Sequence, residues 1–142
     1  EQTGGDHLPS GTGRLLVVDD EPAIARAIKR TLDGLGYHVT AFTSSTEALD
    51  AFRADPTAYD LVVTDLVMPV MAGDKLAAAL IALRPALPIV LCTGYAETLQ
   101  HSSLRALGIS MLVLKPFSRR DLARAVHAAM EGARAKDGES PA

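Results

Sequence analysis

Arg14-Leu15-Leu16-Val17-Val18-Asp19-Asp20-Glu21 joins a short, unbroken aliphatic run to three consecutive acids. A run of that length reads as a strand buried on both faces, as in a parallel sheet covered by helices. Leu61-Val62-Val63, Ile89-Val90-Leu91-Cys92 and Met111-Leu112-Val113-Leu114 have the same character. Residues 37–42 differ. There Tyr37, Val39 and Ala41 alternate with His38, Thr40 and Phe42, a pattern that a half-covered edge strand tolerates.

Helical patterns separate these runs. Pro22 suits the first turn of a helix whose Ile24, Ala27, Ile28, Thr31 and Leu35 share a face, with Gly34 and Gly36 as stop signals. Ser44 and Glu47 have capping-box spacing ahead of Ala48, Leu49 and Phe52. Leu76, Ala79, Leu80 and Leu83 form a third stripe, closed by Pro85. Ser118 and Asp121 open a last helix with Leu122, Ala125, Val126 and Ala129 facing inward. The segment around Leu99 carries Gln100, His101, Ser102 and Ser103 and makes the weakest helix.

Repeated strand–helix units in so short a chain imply an α/β doubly wound parallel sheet. Such sheets bind ligands at the carboxyl ends of their strands. Those positions hold Asp19, Asp20 and Glu21 after the first run, Asp65 after the third, Thr93 after the fourth and Lys115-Pro116 after the fifth. Gathering Asp19, Asp20 and Asp65 without a cation is costly, because like charges at close range raise carboxyl pKa values. A divalent metal removes that cost, and an oxygen-only donor set favours Mg2+ or Mn2+ over zinc.

The composition narrows the class. Of 142 residues, 48% are hydrophobic and 22% charged, as in an ordinary globular domain. The net charge is −3 with no long run of one sign, which argues against a nucleic-acid grip. Cys92 is the single cysteine, so neither an internal disulfide nor a cysteine-based zinc site can form. The longest apolar run, Leu76 to Leu83, is far short of the ~20 residues of a membrane span. No secretory leader is visible, so a cytoplasmic location without direct membrane contact is expected. Residues 1–13 read as a linker, 14–131 as the folded domain and 132–142 as a flexible tail. The start at Glu1 instead of methionine suggests a piece of a longer protein.

Taken in order, Val17-Val18-Asp19-Asp20-Glu21, Asp65-Leu66-Val67-Met68-Pro69 with Gly73, Thr93-Gly94 and Lys115-Pro116-Phe117 resemble the receiver (phosphoacceptor) domain of two-component response regulators and hybrid histidine kinases. Each motif alone is weak; all four, each at a strand end, are highly specific. The resemblance covers roughly Arg14 to Glu131 and implies a flavodoxin-like five-stranded sheet of order 2-1-3-4-5. It implies that Asp65 takes a phosphoryl group from the phosphohistidine of a kinase or histidine phosphotransfer domain. Asp20 would bind Mg2+ directly and Asp19 mainly through water, with Asp65 and the Val67 backbone carbonyl completing the protein's share. Lys115 would pair with Asp65 and then with a phosphoryl oxygen, and Thr93 would hydrogen-bond another. The fourth strand, the segment after it and the fifth strand would form the switching surface. The resemblance also implies a cis bond before Pro116 and leaves a homodimer open.

Each residue taken singly has a plainer reading: an N-cap for Asp19 or Asp20, a solvated turn for Asp65, a strand-end threonine for Thr93, a simple turn for Lys115-Pro116. Jointly the functional reading leads. Cys92 reads as a core residue, and the four histidines show no ligand spacing. Leu112 stands where many receivers carry an aromatic three residues before the lysine, a departure from the usual relay to Thr93. Two other classes compete: a receiver-like docking module that works without phosphorylation, and a phosphohydrolase with an aspartate nucleophile. Degenerate docking versions typically lose the acid pair, the central Asp or the lysine. The hydrolase class usually has a second Asp where this chain has Val67. The expected function is therefore a phosphoacceptor and not an enzyme, although within a hybrid kinase the whole protein would be one.

Overall fold

The computed structural model describes residues 8–94 and 106–139. Its elements are β1 (Arg14–Val18), α1 (Pro22–Gly34), β2 (His38–Phe42), α2 (Ser45–Ala54), β3 (Leu61–Asp65), α3 (Gly73–Leu83), β4 (Ile89–Thr93), β5 (Met111–Leu114) and α4 (Arg119–Glu139). The strands pair in parallel in the order β2-β1-β3-β4-β5, as a doubly wound sheet requires. The reversal of direction falls between β1 and β3, which puts Asp19 and Asp65 beside the same crevice. The segment around Leu99 lies outside the described residues.

Alternation along the buried strands builds two cores. Leu15, Val17, Leu61, Val63, Val90, Cys92 and Val113 join the α1 and α4 side chains on one face. Leu16, Val18, Val62, Ile89 and Leu91 meet α2 and α3 on the other. Leu15, Leu16, Phe52, Leu76, Leu80 and Leu122 are wholly buried. Each such side chain contributes roughly 1.5–3 kcal/mol by leaving water. The helix starts behave as their side chains dictate. Ser44 accepts from the Glu47 amide at 3.2 Å, and Ser118 and Asp121 each accept from the other's amide at 3.0 Å.

Two helix faces differ from the sequence reading. In α1 the buried residues are Ala25, Ile28 and Leu32, while Ile24, Ala27 and Thr31 line an open groove against Phe117 and Leu122. In α3 the buried set is Gly73, Leu76, Ala77 and Leu80, and Leu83 is 42% exposed. Residues 76–83 are all apolar, so periodicity could not choose a face; the close approach of Gly73 to β3 chooses it. α4 also runs on through Glu139, into the stretch read as a tail, with Arg134 bonded to Glu131 at 2.9 Å. At the other end Gly11 donates to the Leu35 carbonyl at 3.0 Å, so residues 8–13 lie along the α1–β2 turn.

Candidate phosphoacceptor site

Asp19, Asp65 and Thr93 end up together because each lies at the carboxyl end of a central strand, where the ladder stops and the chain turns. Asp19 and Asp65 are buried, Asp20 is half-buried, and Thr93 is fully buried. One carboxylate oxygen from each of Asp19, Asp20 and Asp65 lies within 4.8 Å of the others. Lys115 enters from the β5–α4 loop, next to a cis peptide bond before Pro116, and its amide donates to the Thr93 carbonyl at 2.8 Å. Its Nζ reaches Asp65 Oδ1 at 2.9 Å and Asp19 Oδ2 at 3.5 Å. The structure thus brings together Asp19, Asp20, Asp65 and Lys115, with Thr93 tied to Lys115 through the backbone.

Burial pushes the Asp65 carboxyl above its ordinary value; Lys115 opposes this and the Asp19 charge reinforces it. For Lys115, burial alone would favour the neutral amine. The hydrogen bond that Lys115 donates to Asp65 and the charges of Asp19 and Asp65 outweigh that and hold its pKa above the usual lysine value. Among the described residues the ammonium of Lys115, paired with Asp65 and Asp19, is the one cation bridged to this group of three carboxylates, which leaves a surplus of negative charge. Asp19 Oδ1 accepts from the Glu21 amide at 3.0 Å, but its buried Oδ2, in ionic contact with Lys115, has no hydrogen-bond donor among the described residues. A carboxylate oxygen without a hydrogen-bond donor, beside two others, belongs to an all-oxygen donor set suited to a hard divalent cation. Among the described residues Thr93 Oγ1 makes one long bond, 3.4 Å to the Gly94 carbonyl, which a stronger acceptor could displace.

The β3–α3 loop closes over the base of the site. Gly73 donates to the Leu66 carbonyl at 2.7 Å, and Leu66 donates to the Cys92 carbonyl at 2.9 Å. Val67 lies between these anchors with its side chain 62% exposed. The sequence reading missed Thr64, which is buried beside Asp65 and bonds its backbone carbonyl. A threonine inside a strand carries no pattern that could have flagged it.

A family model described as the response regulator receiver domain matches residues 15–127. The response regulator receiver protein CpdR of Brucella abortus (strain 2308) is 33% identical over 109 residues, covering 77% of this chain and 89% of the relative. The sensor kinase CckA of the same organism is 34% identical over 122 residues, covering 86% of this chain but only 13% of the kinase. Among solved structures, a response regulator receiver domain protein from Clostridium thermocellum superposes with a TM-score of 0.82 at 28% identity, covering 87% of this chain and 98% of that one. The chain therefore spans nearly the whole of one relative and a small part of the other.

Proposed function

The chain belongs to the response regulator receiver family, and from that premise we propose that it is the phosphoacceptor of a two-component phosphorelay, with Asp65 as the residue that carries the phosphoryl group. The observation that carries this reading is Lys115 Nζ 2.9 Å from Asp65 at the edge of the three-carboxylate cluster. A docking module that had given up phosphorylation would have no need to keep this costly gathering of charge. Asp19, Asp20, Asp65 and the Val67 carbonyl would hold Mg2+, for which Mn2+ could substitute. The ion would supply the positive charge that lets an anionic donor approach an anionic acceptor.

An Asp65 carboxylate oxygen attacks phosphorus in line. A P–O bond forms as the P–N bond to the partner's imidazole breaks, and that electron pair leaves with the ring nitrogen. Positioning and charge neutralisation dominate such transfers, with little need for acid–base chemistry. Lys115 moves from the Asp65 carboxylate to a phosphoryl oxygen, and Thr93 donates its hydroxyl to another. The new group adds about −1.5 to −2 charge by analogy with phosphorylated hydroxyls. That charge would act through Thr93 and Lys115 on the surface from β4 to β5.

The donor would be a histidine kinase or a histidine phosphotransfer domain meeting this protein in the cytoplasm. An apolar groove of about 580 Å³ between α1 and α4, lined by Ile24, Ala27, Ile28, Thr31, Phe117 and Leu122, runs up to Lys115. A donor helix laid in it would present its phosphohistidine to the site. Incubation with Mg2+ and a small phosphodonor, followed by intact-mass measurement, tests the reading. One phosphoryl group is expected on the wild type and none on Asp65→Asn. No adduct on the folded protein would favour the docking module, and steady phosphate release would favour a hydrolase.

A further inference from the structure

Thr64 is wholly buried at the end of β3, and its hydroxyl donates to the Asp65 backbone carbonyl at 3.0 Å. Gly73 presses on the same carbonyl: a Cβ there would lie 2.0 Å from the Asp65 oxygen and 2.9 Å from Leu66 Cα. Only a residue with no side chain permits that approach. The peptide joining Asp65 to Leu66 is also held at its N–H, by the Cys92 carbonyl at 2.9 Å. The next peptide is held at its carbonyl by the Gly73 amide at 2.7 Å. Two successive peptide planes are thus fixed, one bearing the Asp65 side chain at its start and the other ending at Val67.

We infer that Thr64 and Gly73 are positioning residues for phosphoryl transfer, aiming the Asp65 carboxylate and the backbone that leads to the Val67 carbonyl without themselves touching the cation or the phosphoryl group. This rests on the phosphoacceptor reading. A buried hydroxyl spent on a single carbonyl adds little packing that valine would not supply; what it adds is direction. Groups that orient metal ligands in this way typically change metal affinity on removal by about 10- to 100-fold.

Thr64→Val keeps the shape and removes the donor, whereas Thr64→Ser keeps the donor. Gly73→Ala must displace backbone, so the Thr64 pair decides. Mg2+ affinity is measured by NMR titration with the metal alone, and phosphoryl uptake from acetyl phosphate is followed on the same samples well below their melting temperatures. Thr64→Val is expected to weaken Mg2+ binding by roughly ten-fold and to slow uptake, with Thr64→Ser restoring both. Wild-type Mg2+ affinity and uptake in Thr64→Val would overturn the inference while the role of Asp65 stood. Failure of the wild type to take up a phosphoryl group would overturn the Asp65 reading and this inference with it.

Discussion

Val70 has φ of 68° and is 94% exposed, two unfavourable conditions for a β-branched aliphatic side chain. The left-handed region costs such a residue about 1–2 kcal/mol, and no burial offsets it here. Val70→Asn, which tolerates that conformation, should stabilise the protein by about 1 kcal/mol in denaturant unfolding. An unchanged or lower midpoint would contradict this. Asp65 carries a different cost. Its raised carboxyl pKa means that the folded environment disfavours the charge, first through burial and then through Asp19. Asp65→Asn should therefore raise the melting temperature without metal and lose the further rise that Mg2+ gives the wild type; a lower melting temperature would count against it. That Asp19, Asp20, Asp65, Thr93 and Lys115 would stand at one edge of the sheet was legible because all five lie at the carboxyl ends of the apolar runs. Thr64 and the backbone angle of Val70 were not, because both depend on how the loop returns to Gly73.

At the scale of the element, strands and caps could be read, while helix faces and chain ends could be read only in part. Short aliphatic runs have one good fate, and Ser118 with Asp121 has one good geometry. The all-apolar stretch of α3 has several equivalent faces, so tertiary contact had to choose. The segment 8–13 looked like linker because it is polar and glycine-rich, yet those glycines allow a close approach. Gly36 has φ of 111°, and a Cβ on it would lie 2.3 Å from the Gly11 carbonyl oxygen. Gly11 in turn lies against the buried Tyr37 ring. Gly36→Ala should release this strap, costing about 1 kcal/mol or more and abolishing hydrogen-exchange protection of the Gly11 amide. Burial holds the Tyr37 phenol above its ordinary value, against the pull of Arg134, so its titration should also move down. A Gly11 amide as protected as in the wild type would refute the strap.

For the whole molecule, the fold followed from repeated strand–helix units, and the site from what stands at the ends of the strands. Stability should carry the imprint of the buried core behind the site. Burial pushes the Cys92 thiol from 9.0 up to about 12. Between those values the unfolded chain has lost the thiol proton and the folded one has kept it, so stability falls as pH rises, by at most about 1.4 kcal/mol per pH unit. In the first unit above 9.0, below the unfolded-state midpoints of Tyr37 at 10.0 and Lys115 at 10.5, Cys92→Ala should flatten this slope. An equal slope in the variant would place the alkaline sensitivity elsewhere.

The most direct test of the account traps the acyl phosphate. Protein incubated with Mg2+ and acetyl phosphate is reduced with borodeuteride, which converts a phosphorylated aspartate to deuterated homoserine, and is then mapped by peptide mass spectrometry. The label is expected at position 65 alone, and none without Mg2+. Label at Asp19 or Asp20, or none on protein whose fold is intact, would contradict it.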